Sequence, residues 1–95
     1  MMVDLLKIDV SNNGLKNIDF LNNLQRIKVV HAKDNFLRFS NLELPQLEEL
    51  DVSNNFIEKM PILSFIPKVK VLHINANNIK EPKIVASQTN FAHLV

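Results

Sequence analysis

The segment LEELDVSNNFI, residues 47–57, has a regular spacing of apolar residues. Apolar residues occupy its first, fourth, sixth and last positions, and an asparagine, Asn55, stands at the ninth. Leu50 and Val52 are separated by one polar residue, which is the period of a β-strand with one buried face. The segment therefore predicts a short strand followed by an asparagine-containing turn.

Three other segments repeat this pattern without gaps, which makes the chain an internal repeat. They are LLKIDVSNNGL (5–15), IKVVHAKDNFL (27–37) and VKVLHINANNI (69–79). The four segments begin 22, 20 and 22 residues apart. Each predicts one strand that is too short to fold alone, and stacking the strands in parallel would bury a continuous apolar column. The paired apolar positions of that column are Ile8/Val10, Val30/Ala32, Leu50/Val52 and Leu72/Ile74.

The asparagine that ends each pattern recurs at one repeat position, as Asn13, Asn35, Asn55 and Asn77. A side-chain amide in an apolar lattice must be hydrogen-bonded, and the backbones of its own and adjacent turns can supply the partners. We therefore expect a structural role for these asparagines.

The segments between the strands carry apolar residues about every third position, a period that suits short 3₁₀ or irregular turns. These positions are Leu15, Ile18, Leu21 and Leu24 in the first repeat and Ile57, Met60, Leu63 and Ile66 in the third. All four prolines fall in this phase, away from the strands, where a missing N–H would cost a ladder hydrogen bond. They are Pro45, Pro61, Pro67 and Pro82.

The whole pattern resembles the leucine-rich repeat family, and specifically its 22-residue intracellular class. That class includes a regulatory subunit of protein phosphatase 1, a dynein light chain and the spliceosomal A-prime protein. The resemblance implies an α/β solenoid with short parallel strands on a concave face and 3₁₀ or irregular turns on a convex face. It implies one domain, 1–95, with repeats 5–26, 27–46, 47–68 and 69–90 and a partial repeat 91–95.

Both ends of the chain continue the repeat instead of showing a cap. Met2 stands in the phase of a preceding turn, and Phe91 and Leu94 occupy the first two apolar positions of a fifth strand. The chain is then either a piece of a longer array or a minimal protein whose ends a neighbour covers, because an unpaired strand is a site for strand addition. A closing helix over residues 82–95 remains the alternative for the second end.

Composition restricts the classes of function. The chain has 95 residues, is 46% hydrophobic and has a net charge of +1, so it lacks the positive field of a direct nucleic-acid binder. It has no cysteine, no Asn-x-Ser/Thr sequon, no membrane-spanning run and no basic leader, and these features favour an intracellular protein, cytoplasmic or nuclear. With one glycine, a phosphate-binding loop is excluded, and we expect no cofactor and no small-molecule substrate.

The side chains between the buried strand positions should form the exposed, concave surface. Its central column holds Asp9, His31, Asp51 and His73, the column before it holds Lys7, Val29, Glu49 and Val71, and the column after it holds Ser11, Lys33, Ser53 and Asn75. Each histidine should therefore lie beside an aspartate. Two interpretations remain open: charge pairing between strands with no further role, or a partner-binding stripe. An open sheet argues against a metal site and against catalysis by Ser53, Asp51 and His73.

Phe36 and Phe56 follow the repeat asparagine in the two middle repeats, where Gly14 and Asn78 stand in the outer ones. They should point outward, one repeat apart. They either anchor a partner or stack on each other and shield the edge of the turns.

These observations favour a non-enzymatic protein–protein interaction module that binds through the concave sheet. A docking subunit of a ribonucleoprotein, spliceosomal or ribosome-associated, is the alternative. The candidate partner-binding residues are Lys7, Asp9, Val29, His31, Lys33, Glu49, Asp51, Val71, His73, Phe36 and Phe56. No cofactor or metal ligand is predicted, and no membrane contact.

Overall fold

The computed structural model describes residues 5–38, 42–58, 66–78 and 93–94. They contain five strands, all in one parallel sheet whose order follows the chain. The strands are β1 (Lys7–Asp9), β2 (Val29–His31), β3 (Glu49–Asp51), β4 (Val71–His73) and β5 (His93–Leu94). Each of the first four strands is thus followed by a return segment that brings the chain back to the next strand, and we call one strand with its return segment a coil.

The register of the sheet reproduces the spacing of the sequence repeat. Ile8 lies opposite Val30, Val30 opposite Leu50, and Leu50 opposite Leu72. The predicted parallel strands and their register are therefore confirmed. They follow from the apolar pattern, because a shift by one residue would turn every buried side chain to solvent.

The fifth strand decides between the two expectations for residues 91–95. Leu72 lies opposite Leu94, and β5 runs parallel to β4. A closing helix over residues 82–95 is therefore wrong at positions 93 and 94, where pairing with the β4 backbone takes the place of helical hydrogen bonds. The rest of that segment lies outside the described residues.

The core lies under the sheet and extends into the return segments. The central residues of β2, β3 and β4 are fully buried, and so are Ala32 and Val52 just beyond the strands. The return segments contribute further buried residues: Ile18, Leu21, Leu37, Leu42, Leu44, Ile57 and Ile66. The apolar residues between strands thus form the second layer of one continuous core.

A 3₁₀ helix, Asp19–Asn23, forms the return segment of the first coil, as the three-residue apolar period predicted. Leu21 N–H donates to Ile18 O at 3.0 Å, and Leu24 N–H donates to Leu21 O at 2.8 Å. Pro45 and Pro67 stand outside the strands, also as predicted. The expected apolar positions Met60 and Leu63, and the prolines Pro61 and Pro82, lie outside the described residues.

A tight turn follows each of the first four strands. In each turn, the residue immediately before the repeat asparagine has a left-handed backbone conformation. These residues are Asn12, Asp34, Asn54 and Ala76, with φ values of 59°, 58°, 54° and 57°. The repeat asparagine is the second feature that the turns share. Asn35 Nδ2 donates to Ala32 O at 3.0 Å in its own coil and to Val10 O at 3.1 Å in the preceding coil. The asparagines thus close their own turns, and Asn35, Asn55 and Asn77 also donate to a carbonyl of the preceding coil.

Candidate functional site

The exposed layer of the sheet consists of side chains that alternate with the buried strand residues. We call it the open face and define it as Lys7, Asp9, Val29, His31, Glu49, Asp51, Val71 and His73. Lys7 and Asp9 are exposed, and the other six are partly buried. The predicted central column is in register, because Asp9 lies opposite His31, His31 opposite Asp51, and Asp51 opposite His73. Lys33 is exposed in the turn after β2.

The two aspartates of the central column are held by the turns that follow their own strands. Asp51 Oδ1 accepts hydrogen bonds from the backbone N–H of Ser53 at 3.0 Å and from its hydroxyl at 2.6 Å. Asp9 Oδ1 accepts a hydrogen bond from the backbone N–H of Ser11 at 3.0 Å. This backbone hydrogen bond holds the pKa of Asp9 below its usual value, because it stabilises the carboxylate form.

His31 bonds a different carboxylate from the one that the sequence indicated. Its Nε2 lies 2.6 Å from Glu49 Oε2, and both side chains are partly buried. Asp51 is the direct neighbour of His31 across the strands, but its Oδ1 is bonded to Ser53. The longer side chain of Glu49 reaches the imidazole instead, across the diagonal of the sheet.

Phe36 and Phe56 form a second surface at the edge of the turns. Their side chains are 54% and 45% exposed, and their rings stack with centroids 5.9 Å apart and an interplanar angle of 5°. Gly14 occupies the same repeat position in the first coil, and a methyl group there would lie 3.8 Å from Phe36 Cε2. The Gly14 backbone therefore lies beside the Phe36 ring. The predicted outward direction and mutual stacking are confirmed, while a role in binding stays a prediction.

Two cationic residues join this aromatic pair. Lys16, Phe36, Arg38 and Phe56 line a partly open groove of about 540 Å³, which we call the phenylalanine groove. Lys16 and Arg38 were not among the predicted site residues. Their proximity to the phenylalanines could have been inferred from the sequence, because each stands two positions after the Gly14/Phe36 position of its repeat.

The comparison with protein-family models adds an independent observation. The model described as Leucine Rich Repeat matches residues 46–67. The chain contains a leucine-rich repeat. The match includes β3, the turn asparagine Asn55 and Phe56, so it covers parts of both surfaces described above. Neither the curated proteins nor the solved structures contain a significant match to this chain.

Leucine-rich repeat domains generally mediate protein–protein interaction and are typically non-enzymatic. In the leucine-rich repeat described here, Ser53 Oγ donates to the Asp51 carboxylate, so its proton is directed toward an acid of its own turn. Among the described residues, no group of three or more His, Cys, Asp or Glu side chains is arranged to hold a metal ion. The described ranges also contain no helix with the length and apolar character that crossing a membrane requires.

Proposed function

We propose that this leucine-rich repeat chain is a non-enzymatic recognition module that binds a partner protein through the open face. The observation that carries this proposal is the register of the sheet. It places two partly exposed valines, Val29 and Val71, in one column with Lys7 and Glu49, directly beside the Asp/His column. A mixed apolar and charged patch of this kind has the composition of protein–protein interfaces.

The fixed geometry of the open face supports this function. Its side chains stand on strands rather than on loops, and a rigid scaffold lowers the entropy lost when a partner binds. Asp51 is held by Ser53, and His31 is held by Glu49. A partner would therefore meet polar groups whose positions are already set.

The finer architecture belongs to the same proposal. Residues 1–95 form one solenoid domain of the 22-residue intracellular class, with repeats 5–26, 27–46, 47–68 and 69–90 and a partial repeat 91–95. The open face is its concave surface. The repeat spacing and the matching register of the sheet support this assignment. An intracellular location, cytoplasmic or nuclear, rests on the absence of cysteine and of Asn-x-Ser/Thr sequons.

Position-specific photocrosslinking tests the open face. A photoreactive phenylalanine analogue replaces Val29 or Val71 on that face, and Gln25 or Lys68 in matched control variants. Gln25 and Lys68 are exposed in the return segments, so they carry the same probe away from the open face. The expected result is a discrete protein adduct from the two open-face positions that is absent from the two controls.

The outcomes of this experiment separate the candidate functions. Equal crosslinking from all four positions would contradict recognition by the open face. Adducts that sediment with RNA, and shift after nuclease treatment, would instead identify the chain as a docking subunit of a ribonucleoprotein. An adduct whose sedimentation is unchanged by nuclease treatment supports recognition of a free protein partner.

A further inference from the structure

The phenylalanine groove contains two exposed aromatic rings in a part of the chain that the open face does not use. A single exposed phenylalanine is common on a protein surface and needs no explanation. Two adjacent exposed rings form an apolar patch that a partner can cover. Their stacking also holds each ring in place, so a ligand would bind a preformed surface.

The groove is also positively charged. Lys16 and Arg38 are exposed, and within residues 5–38, 42–58 and 66–78 neither side chain forms a hydrogen bond or an ion pair. Glu58 stands one coil after Arg38, with its N–H donating to Arg38 O at 3.1 Å, but it does not line the groove. Two cations that have no carboxylate partner among the described residues, beside an apolar patch, complement a ligand that is both acidic and apolar.

The arrangement of the rings favours a peptide over a nucleic-acid base that would intercalate between them. Single-stranded nucleic acids bind when bases stack on free aromatic faces. One face of each ring is turned toward the other phenylalanine, and Gly14 lies beside Phe36. With near-parallel rings whose centroids are 5.9 Å apart, no base can enter between them. A flexible apolar side chain can instead lie across the exposed ring edges.

We propose that the phenylalanine groove binds an acidic peptide segment that carries a large apolar side chain. The apolar side chain covers Phe36 and Phe56, and carboxylates on either side of it pair with Lys16 and Arg38. Arginine can hold a carboxylate through two parallel N–H donors, which makes Arg38 the stronger of the two cationic contacts. This site is separate from the open face and does not depend on it.

Tryptophan fluorescence offers a direct test, because the protein contains no tryptophan and no tyrosine. The probe is the peptide Glu-Asp-Trp-Glu-Asp-Leu, blocked at both ends, so the whole signal comes from the ligand. Titration with the intact chain should shift the emission to shorter wavelength in a saturable way. A second peptide with lysine in place of each acid should not bind, and added salt should weaken the binding of the first.

Variants on the groove then assign the contacts. Phe56→Ala and Arg38→Glu should each weaken binding of the probe by about tenfold or more, because they remove the apolar and the cationic contact respectively. Phe20→Ala and Lys28→Glu are matched controls, since both residues are exposed and neither lines the groove. Both controls should bind the probe with unchanged affinity. Circular dichroism on each variant shows that its fold is retained.

Three results would overturn the proposal: no saturable shift with the acidic probe, equal binding by the groove and control variants, or displacement of the probe by oligouridylate at lower concentration than by the same acidic peptide with leucine in place of tryptophan. The last result would assign the groove to single-stranded nucleic acid. Open-face variants such as Val71→Asp, with their fold confirmed, should keep full affinity for the probe. The experiments can therefore contradict the open-face proposal and the phenylalanine-groove proposal independently.

Discussion

The pentapeptide Asp-Val-Ser-Asn-Asn occurs twice in the chain, at 9–13 and at 51–55, and the two copies differ in their surroundings. Their local conformation is the same. Asn12 and Asn54 are both left-handed, with φ of 59° and 54°. In each copy the last asparagine donates to the carbonyls of the valine and the serine, and the aspartate accepts from the serine N–H.

Burial separates the two copies. Val52 is fully buried and Asn55 is only 5% exposed, whereas Val10 is partly buried and Asn13 is exposed. Val52 and Asn55 are more buried because the second coil packs against the third. Asn55 Nδ2 donates to Ala32 O at 3.1 Å, and Asn55 Oδ1 accepts from Leu37 N–H at 3.0 Å.

Within the described residues, Asn13 has no comparable bonds to a coil before it. The comparison shows that a repeat supplies its own turn, while its neighbours complete its core. In repeat proteins generally, stability combines the contribution of each repeat with that of each interface between neighbouring repeats.

The asparagines should show the largest difference between the two copies. Asn55→Ala leaves the Leu37 N–H and buried carbonyls without a partner and should lower the free energy of unfolding by about 3 kcal/mol. Asn13→Ala removes two bonds that water can replace and should cost about 0.5–1 kcal/mol. Thermal unfolding followed by circular dichroism measures both. Equal losses would contradict the role of the neighbouring coil.

The valines test the same difference through packing. Val52→Ala removes two buried methyl groups and should lower the free energy of unfolding by about 2 kcal/mol, including the cavity that remains. Val10→Ala should cost about 1 kcal/mol, because its side chain is only partly buried. Urea denaturation of the two variants gives both values. A larger loss of unfolding free energy for Val10→Ala than for Val52→Ala would contradict the difference in packing between the two copies.

Ala76 offers a stabilising change at the position that both pentapeptides fill with asparagine. Its φ of 57° is unfavourable for a residue with a Cβ and no local hydrogen-bonding group, whereas asparagine tolerates this region. Ala76→Asn should therefore raise the free energy of unfolding by about 0.5–1 kcal/mol. Ala76→Ser is the control and should show a smaller gain. Urea denaturation is again the measurement.

Asp9 contributes the smallest effect, and it depends on pH. Its folded pKa lies below the unfolded value of about 4, so its contribution to stability is present above that value and is lost as pH falls through the folded pKa. Asp9→Asn should therefore be less stable than the parent at neutral pH, with a difference that shrinks on acidification. Melting temperatures between pH 7 and pH 3 test this. A difference that stays constant with pH would assign it to another cause.

The strands and their partners were predictable because the apolar spacing is a local property. Ile8, Leu50 and Leu72 each stand three residues into a repeated pattern, and the offsets between repeats set the register. The left-handed turn position was harder to find from the sequence. Asn12 and Asn54 are residue types that favour it, but Ala76 is not, so the column shows no common residue type.

The contacts of the candidate sites were only partly predictable. The Asp/His column follows from the register, but the bond from His31 to Glu49 depends on which carboxylates the turns have already bound. The phenylalanine groove combines two repeat columns, and the sequence predicts a site only from the aromatic one. Which partner a side chain bonds depends on several competing groups from different strands and turns. One repeat position of the sequence does not show all of these groups.

The strand, the left-handed turn and the internal hydrogen bonds of Asp-Val-Ser-Asn-Asn follow from local sequence, because both copies form them alike. The burial of Val52 and Asn55, in contrast to Val10 and Asn13, depends on tertiary contacts. The partners of a local turn lie within a few residues of it, whereas burial requires a second coil that stacks against the first.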